Sequence, residues 1–403
     1  MSESQSAPTI PTAPPRGRLA EVIGVFLRLG FTAFGGPAAH IAMMREEMVQ
    51  RRKWVTPEQF VDMIGVANLI PGPTSTEMAI YLGYLRAGWP GLLLGGLCFI
   101  GPAMLIVLAL AWAYVTFGGL PQVGWLFYGV QPVVVAIVAQ AIWTLSRTVF
   151  KGSWAFAAGA IVVALYLLGL NVLVLLFGAG IVIGVSRWAI GRRATGHPID
   201  PRALKGLVLP WPVGIVPGAL AAVVPFSLGA LFLTFLKFGT VIYGSGYVLL
   251  AFLRTDLVQN LGWLTDRQLL DAIAVGQFTP GPVFTTATFI GYVLGGFPGA
   301  LLATLGIFLP SFAFVALIHP VAARLRRYAL TSALLDGVNI AALGLMTGVL
   351  VQLAQNALVD PLTWIIAAVA LGILIRFKVN SVWLIAAGAV IGVLRFAIFA
   401  PGR

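Results

Sequence analysis

One apolar segment after another fills this chain, at residues 90–117, 123–146, 152–168, 170–188, 208–226, 297–319, 332–357, 361–376 and 380–399. About 20 apolar residues in a row cross a bilayer as a helix. In hydrocarbon every backbone polar group needs a partner, so only helices and closed barrels span. The strand alternation of a membrane barrel is absent, and the expected fold is an all-α polytopic membrane protein. Only 9% of the residues are charged, against about 25% in soluble domains. The net charge of +12 sits mostly in short loops, where it orients a membrane protein; no nucleic-acid partner is expected. A single cysteine, Cys98, and three scattered histidines, His40, His197 and His319, argue against a disulfide and against a metal site.

The chain repeats itself. FLRLG at 26–30 returns as FLKFG at 235–239, an offset of 209. At that offset Gly35 meets Gly244, Arg45 meets Arg254, Trp54 meets Trp263, Thr56 meets Thr265 and Asp62 meets Asp271. PGP at 71–73 then meets PGP at 280–282. One residue is lost shortly afterwards, and GYLRAGWPG at 83–91 matches GYVLGGFPG at 291–299 at an offset of 208. An internal duplication of this kind marks many transporter folds. The expected organisation is a disordered cytoplasmic tail at 1–18, with no cleaved signal peptide. A first repeat at 19–188, a basic cytoplasmic linker at 189–206 and a second repeat at 207–403 follow.

Five ordinary crossings separate the two broken units, and an odd number places the copies in opposite orientations. With the basic 186–206 loop inside, ARLRR at 323–327 and RFK at 376–378 also fall inside, as the positive-inside rule asks. The loop REEMVQRRK at 45–53 joins them only if segments 19–44 and 56–87 dip into the membrane and return. Re-entrant hairpins are therefore preferred to full crossings.

Thr56 and Gln59, like Thr265 and Gln268, have capping-box spacing and predict helix starts. Each helix runs about a dozen residues before PGP stops it, since proline removes a donor and clashes with the previous turn. The chain restarts at Thr74 or Thr285, and Thr74 and Glu77 have capping-box spacing themselves. A helix start carries about half a positive charge and several unpaired amides, a ready anion site. A plain proline kink explains one PGP; two copies, each followed by hydroxyls, favour a site. The candidate substrate-binding residues around the two breaks are Asn68, Pro71, Gly72, Pro73, Thr74, Ser75 and Thr76, with Gln277, Pro280, Gly281, Pro282, Thr285 and Thr286. A second pair of breaks, FGGP at 34–37 and YGSG at 243–246, adds Gly35, Gly36 and Gly244; close helix packing through small residues explains them equally well.

Arg28 and Lys237 occupy equivalent places in apolar segments, where a cation is costly and usually functional; snorkelling to the interface is the blander account. Asp62 and Asp271 can pair with them or cap helices. Glu77 occurs in the first copy only and is a candidate carboxylate for coupling proton movement to anion movement, although stabilising a helix N-terminus would also explain it. Arg45 and Arg254 suit the mouth of an anion path, and Trp54 and Trp263 suit interface anchors. No nucleotide-binding loop or cofactor motif is present, so an ion gradient or the membrane potential would supply the energy.

FGGPAAHIAMMREE, the WVTPEQFVD…PGP run and YGSGYVLLAFL…GWLTDRQLLDAIAVGQFTPGPVFTTATFIGY resemble the chromate ion transporter family, in its long two-domain form. The resemblance covers roughly 20–145 and 230–357. It implies chromate efflux from the bacterial cytoplasm across the inner membrane, chromate resistance, and oppositely oriented homologous halves. It also implies sulfate as a competitor, both ions being tetrahedral dianions; a homodimer is compatible with it. A sulfate or other oxyanion carrier is the nearest rival. A passive anion channel and a membrane-embedded lipid-pyrophosphate phosphatase stand further off. The phosphatase chemistry needs carboxylate and arginine partners that PGPTSTE and PGPVFTT lack.

Overall fold

A computed structural model describes residues 16–68, 70–150, 152–186, 225–243, 246–318, 329–377 and 379–399. The basic linker, the 323–327 turn, Lys378, Gly244, His197 and His319 lie outside these residues. The described residues form helices and no strand, and five helices are long and apolar enough to cross a membrane. In chain order the first half holds α1 (Arg16–Thr32), α2 (Gly36–Arg45), α3 (Pro57–Ala67), α4 (Thr74–Phe117), α5 (Pro121–Val149), α6 (Ser153–Leu167) and α7 (Val174–Ser186). The second half holds α8 (Leu228–Val241), α9 (Leu249–Phe252), α10 (Asp266–Phe278), α11 (Thr286–Ile318), α12 (Ala329–Ala357), α13 (Pro361–Phe377) and α14 (Ser381–Phe399). Helices α2 and α9 continue as π-helices, Glu46–Arg51 and Leu253–Asn260. Helix α1 takes in Arg16–Arg18 of the expected tail.

Local chemistry sets the boundaries. Thr56 and Thr265 cap α3 and α10, and both capping boxes close with Gln59 and Gln268. Helices α4 and α11 each fold back on themselves. The backbone leaves helical values at Ala87–Gly88 in one and Gly295–Gly296 in the other, with nearly the same angles (Gly88 φ 63°, Gly296 φ 62°). Folding back brings Gly83 against Gly91 and Gly291 against Gly299, so close that a methyl on either partner would strike the other's carbonyl. The long helix Thr74–Phe117 is thus two arms joined by a sharp turn, and the second arm coincides with the apolar segment at 90–117.

Packing recurs at the same offsets. Gly30 seats α1 against Pro102 of α4, and Gly239 seats α8 against Pro310 of α11. The later helices exchange partners. Helix α5 meets α14 where Gly129 touches Gly388 and Gly392, and α12 meets α7 where Gly337 touches Gly180 and Gly184. Small residues let helix backbones approach where no hydrophobic effect drives them together. The core follows this exchange, with Val130, Val134 and Val138 of α5 and Leu345, Met346 and Val349 of α12 almost fully enclosed.

Candidate functional site

The two PGP segments meet the ends of helices from the other half. Helix α1 ends at Thr32, and the Ala33 carbonyl just beyond it accepts the Gly281 amide at 2.8 Å. Helix α8 ends at Val241, and the Ile242 carbonyl accepts the Gly72 amide at 2.7 Å. Ala33 and Ile242 are 209 residues apart, as are Gly72 and Gly281. Each bond satisfies a carbonyl that a helix end would otherwise leave bare. Gly72 and Gly281 both have positive φ, 138° and 87°, a conformation that side chains resist. Gly35 and Gly36 also have positive φ, 107° and 77°, so the first FGGP glycines serve a turn rather than close packing; Gly35 is exposed.

Helix α3 ends at Ala67, with Asn68 as its exposed C-cap. Pro71, Gly72, Pro73, Thr74, Ser75, Thr76 and Glu77 are all buried. The restart of α4 has Pro73 as N-cap and no side-chain cap. The capping box expected between Thr74 and Glu77 does not form; Glu77 is turned into the protein. Its carboxyl is fully enclosed, and neither oxygen has a hydrogen-bond partner among the described residues. The amides of Thr74 and Ser75 likewise find no acceptor there. Glu77 and Ser311 crowd Gly72, so that a methyl there would clash 2.4 Å from Glu77 Oε1 and 2.6 Å from Ser311 Oγ. Ser311, on α11, is also enclosed and unbonded. Glu77 lines a small cavity with Val66, Ala67, Ile70, Tyr81 and Val315. His40 completes this break, its ring nitrogens 3.3 Å from Ser75 Oγ and 3.0 Å from the Ala33 carbonyl.

The second break is drier. Pro280, Gly281, Pro282, Thr285 and Thr286 are buried, and a 3₁₀ turn, Val283–Thr285, leads into α11. Thr285 Oγ1 donates to the Pro282 carbonyl and Thr286 Oγ1 to the Val283 carbonyl, both at 2.8 Å. Gln277 is buried beside them, its amide nitrogen without a partner among the described residues.

The charged candidates fall into pairs. Arg28 meets Glu47 at 2.5 Å and Lys237 meets Asp256 at 2.6 Å. These four residues are themselves related by the 209 offset. The acids that pair with the two cations are thus Glu47 and Asp256, which the sequence reading did not single out; both lie 19 residues after their cation. Arg28 is half exposed. Arg52 joins Glu47 to Glu21, and Glu21 also binds Arg86 and the Trp54 indole. Burial works against ionised Glu47, but hydrogen bonds from Arg52 and Arg28 outweigh it and hold the carboxyl below its ordinary range.

Asp271 is buried and accepts from the Tyr114 hydroxyl and the Gln131 amide, both at 2.9 Å, whereas Asp62 is exposed. Arg45 is exposed, while Arg254 is buried and forks onto Asp266 at 2.7 and 3.1 Å with Gln352 on its other side. Trp263 stands edge-on to Phe226. Among the described residues no group of three or more His, Cys, Asp and Glu could hold a metal.

Two stretches, residues 20–185 and 229–393, match the chromate transporter family. The chain belongs to that family. It is 34% identical to the chromate transport protein of Cupriavidus metallidurans over 98% of both chains. It is 33% identical to the probable chromate transport protein of Synechococcus elongatus over 89% of this chain and 90% of that one. A shorter relative, the uncharacterized transporter YwrA of Bacillus subtilis, is 31% identical over 32% of this chain and 76% of its own. No solved structure matches. Family membership and the apolar helices together make this a multi-pass membrane protein.

Proposed function

We propose that this family member is a secondary transporter that exports chromate from the bacterial cytoplasm across the inner membrane and so confers resistance. The observation that carries this reading is the pair of reciprocal bonds at the PGP breaks, which hold the starts of α4 and α11 against the opposite half. At each break the first two amides of the restart, Thr74 and Ser75 or Val283 and Phe284, find no acceptor among the described residues. Such amides with the positive end of the helix suit a tetrahedral oxyanion, and discontinuous helices at a repeat interface are where many secondary transporters bind. Amides and hydroxyls read charge and shape, so sulfate competes.

The halves are inverted repeats, each with one re-entrant unit, and the basic loops face the cytoplasm. Outward movement of a dianion follows an inside-negative potential at about 2.3 kcal/mol per charge per 100 mV. Glu77 lies in the same first turn as the free amides of the first break. A carboxylate and a dianion at such range repel, which links the charge on Glu77 to occupancy of the site and gives the proton gradient a hold on transport.

Everted vesicles expose the cytoplasmic face, and radiolabelled chromate should load them with energy. Excess sulfate should suppress the loading, and collapsing the potential and the proton gradient separately identifies the driving force. Absence of loading at normal protein abundance would overturn the chromate reading. The topology has its own test. In a Cys98→Ser background, Gln50→Cys should escape an impermeant thiol reagent in intact cells and react in everted vesicles.

A further inference from the structure

A cavity of about 430 Å³ opens well away from the PGP breaks, lined by Gly124, Trp125, Tyr128, Gln131, Arg267 and Asn356 among others. It lies where α5 and α10 begin and α12 and α14 end. Two arginines, Arg395 and Arg267, and two carboxylates, Asp360 and Asp271, stand around it. Arg395 is held by Asp360 at 2.7 Å and covers the Tyr128 ring. Tyr128 donates to the same Asp360. Deeper along α10, both oxygens of Asp271 are taken, by Tyr114 and by Gln131 from the cavity wall. Arg267, the second residue of α10, is exposed; its charge acts on the Asp271 carboxylate a turn further in, but the guanidinium makes no direct ion pair or hydrogen bond with any described residue. Its guanidinium lies against the first turn of α5, 3.5 Å from where a Gly124 side chain would begin. The positive end of α5 therefore adds to its charge. Trp125 stacked on Phe396 gives an apolar wall, and low polarity strengthens attraction to a charge beside it.

We propose that this cavity is a second oxyanion site, an outer vestibule in which Arg267 holds a tetrahedral anion together with the second N–H of the Asn356 amide, whose first donates to the Gln352 carbonyl at 3.1 Å. Helix α10 joins it to the second break, with Arg267 at one end, Asp271 a turn further in, and Gln277 and PGP at the other end. The counterpart of Arg267 at the 209 offset is Glu58, so the first half does not repeat the device. The direction of passage rests on the proposed topology, which puts this end outside; binding of the anion does not.

The test uses the full chain in zwitterionic phosphatidylcholine nanodiscs, with a reporter at the exposed cavity residue Val359, Val359→Cys in a Cys98→Ser background, which leaves Arg267 and Asn356 in place. Anionic and cationic methanethiosulfonate reagents of equal size report the local potential. The anionic reagent should react about tenfold faster, millimolar sulfate should slow it where chloride at equal ionic strength does not, and Arg267→Gln should erase both effects while Arg267→Lys keeps the charge preference. Equal rates for the two reagents, or a preference indifferent to Arg267→Gln, overturns the site. Phosphatidylglycerol in the disc provides the second arm. If it protects and sulfate does not, the anion held is a lipid phosphate. Chromate flux plays no part in these readings. A vestibule that binds sulfate in a protein that moves no chromate would refute the transport reading and leave this one standing.

Discussion

The two PGP breaks share a backbone and differ in what lines it. Gly72 and Gly281 take positive φ, and each gives its amide to the end of a helix in the opposite half. The arms that follow turn at Gly88 and Gly296 with φ within a degree of each other. Around the first break the side chains are Thr74, Ser75, Thr76, Glu77 and His40, all buried. Around the second they are Val283, Phe284, Thr285 and Thr286, with Leu249 in the place of His40. In the second set the two hydroxyls turn onto nearby carbonyls and Phe284 packs near Phe308, leaving the Gln277 amide nitrogen as its side-chain atom without a partner among the described residues. The first keeps buried polar atoms unbonded, a cost of about 1–3 kcal/mol for each such group. The backbone frame recurs at both breaks, while a buried acid and imidazole stand at the first alone.

The sharpest way to break this comparison is to place the same methyl at both glycines. In Gly72→Ala it strikes the Glu77 and Ser311 oxygens and displaces them, so chromate loading should fall at least about tenfold, the scale of a 1.4 kcal/mol loss or more at a binding site. In Gly281→Ala it meets Ala103 of the packed core at 2.8 Å. That strain should cost about 1–3 kcal/mol of stability, read as a lower melting temperature. Equal losses of abundance and flux in both variants would show that the first glycine is structural too. Next in size is Glu77→Gln against Thr286→Val. The first should flatten the pH dependence of flux in vesicles clamped at one potential. The second removes one backbone-directed hydroxyl and should cost about 1 kcal/mol of stability with that pH dependence intact. An unchanged pH profile in Glu77→Gln removes this residue from coupling.

Much of this frame was legible because proline and glycine have local consequences. PGP stops a helix wherever it occurs, and Thr56–Gln59 and Thr265–Gln268 close capping boxes with atoms four residues apart or fewer. The exchange of α14 and α7 between halves was not read from the chain, although GAGIVIG at 178–184 and GAVIGV at 388–393 carry a trace of it. Such contacts join residues 153 apart or more, and single helices in apolar surroundings show no amphipathic face to announce them. The charged residues were found as types and missed as pairs. Arg28 and Lys237 stood out because cations in apolar segments are costly. Glu47 and Asp256 read as loop acids until α2 and α9 carried them back beside the first helix of each half. Glu77 stood out as a lone carboxylate beside PGP, and the capping box its spacing with Thr74 suggested is forestalled by Pro73 as N-cap.

These ion pairs give the next contrast. Arg28→Gln leaves Glu47 with Arg52, whereas Lys237→Gln leaves Asp256 with the Asn260 amide. If Arg28 also meets the anion, its loss should raise the apparent chromate Km several-fold, as one charge-assisted bond of about 1.5 kcal/mol or more would. Lys237→Gln should then change it less. An apparent affinity unchanged in Arg28→Gln confines that residue to the network around Glu47.

The smallest effect concerns the same network and acidity. Glu47 has a depressed folded-state pKa because the hydrogen bonds from Arg52 and Arg28 outweigh its burial. A depressed carboxylate contributes stability above its unfolded pKa of about 4.3 and loses it as pH falls through the folded value. Melting temperature should therefore fall on acidification below about pH 4.5. The part due to Glu47 should be about 2 °C, the scale of a partly exposed ion pair in a chain of this size. Glu47→Gln should start lower at neutral pH and lose less on acidification, so that the two curves converge. Parallel curves would mean that the pairs seen at Glu47 bring no net stability. In that case the acid serves to neutralise Arg28 beside the membrane, and the Arg28 contrast should sharpen in Glu47→Gln, where the freed guanidinium faces the anion path without a competing charge.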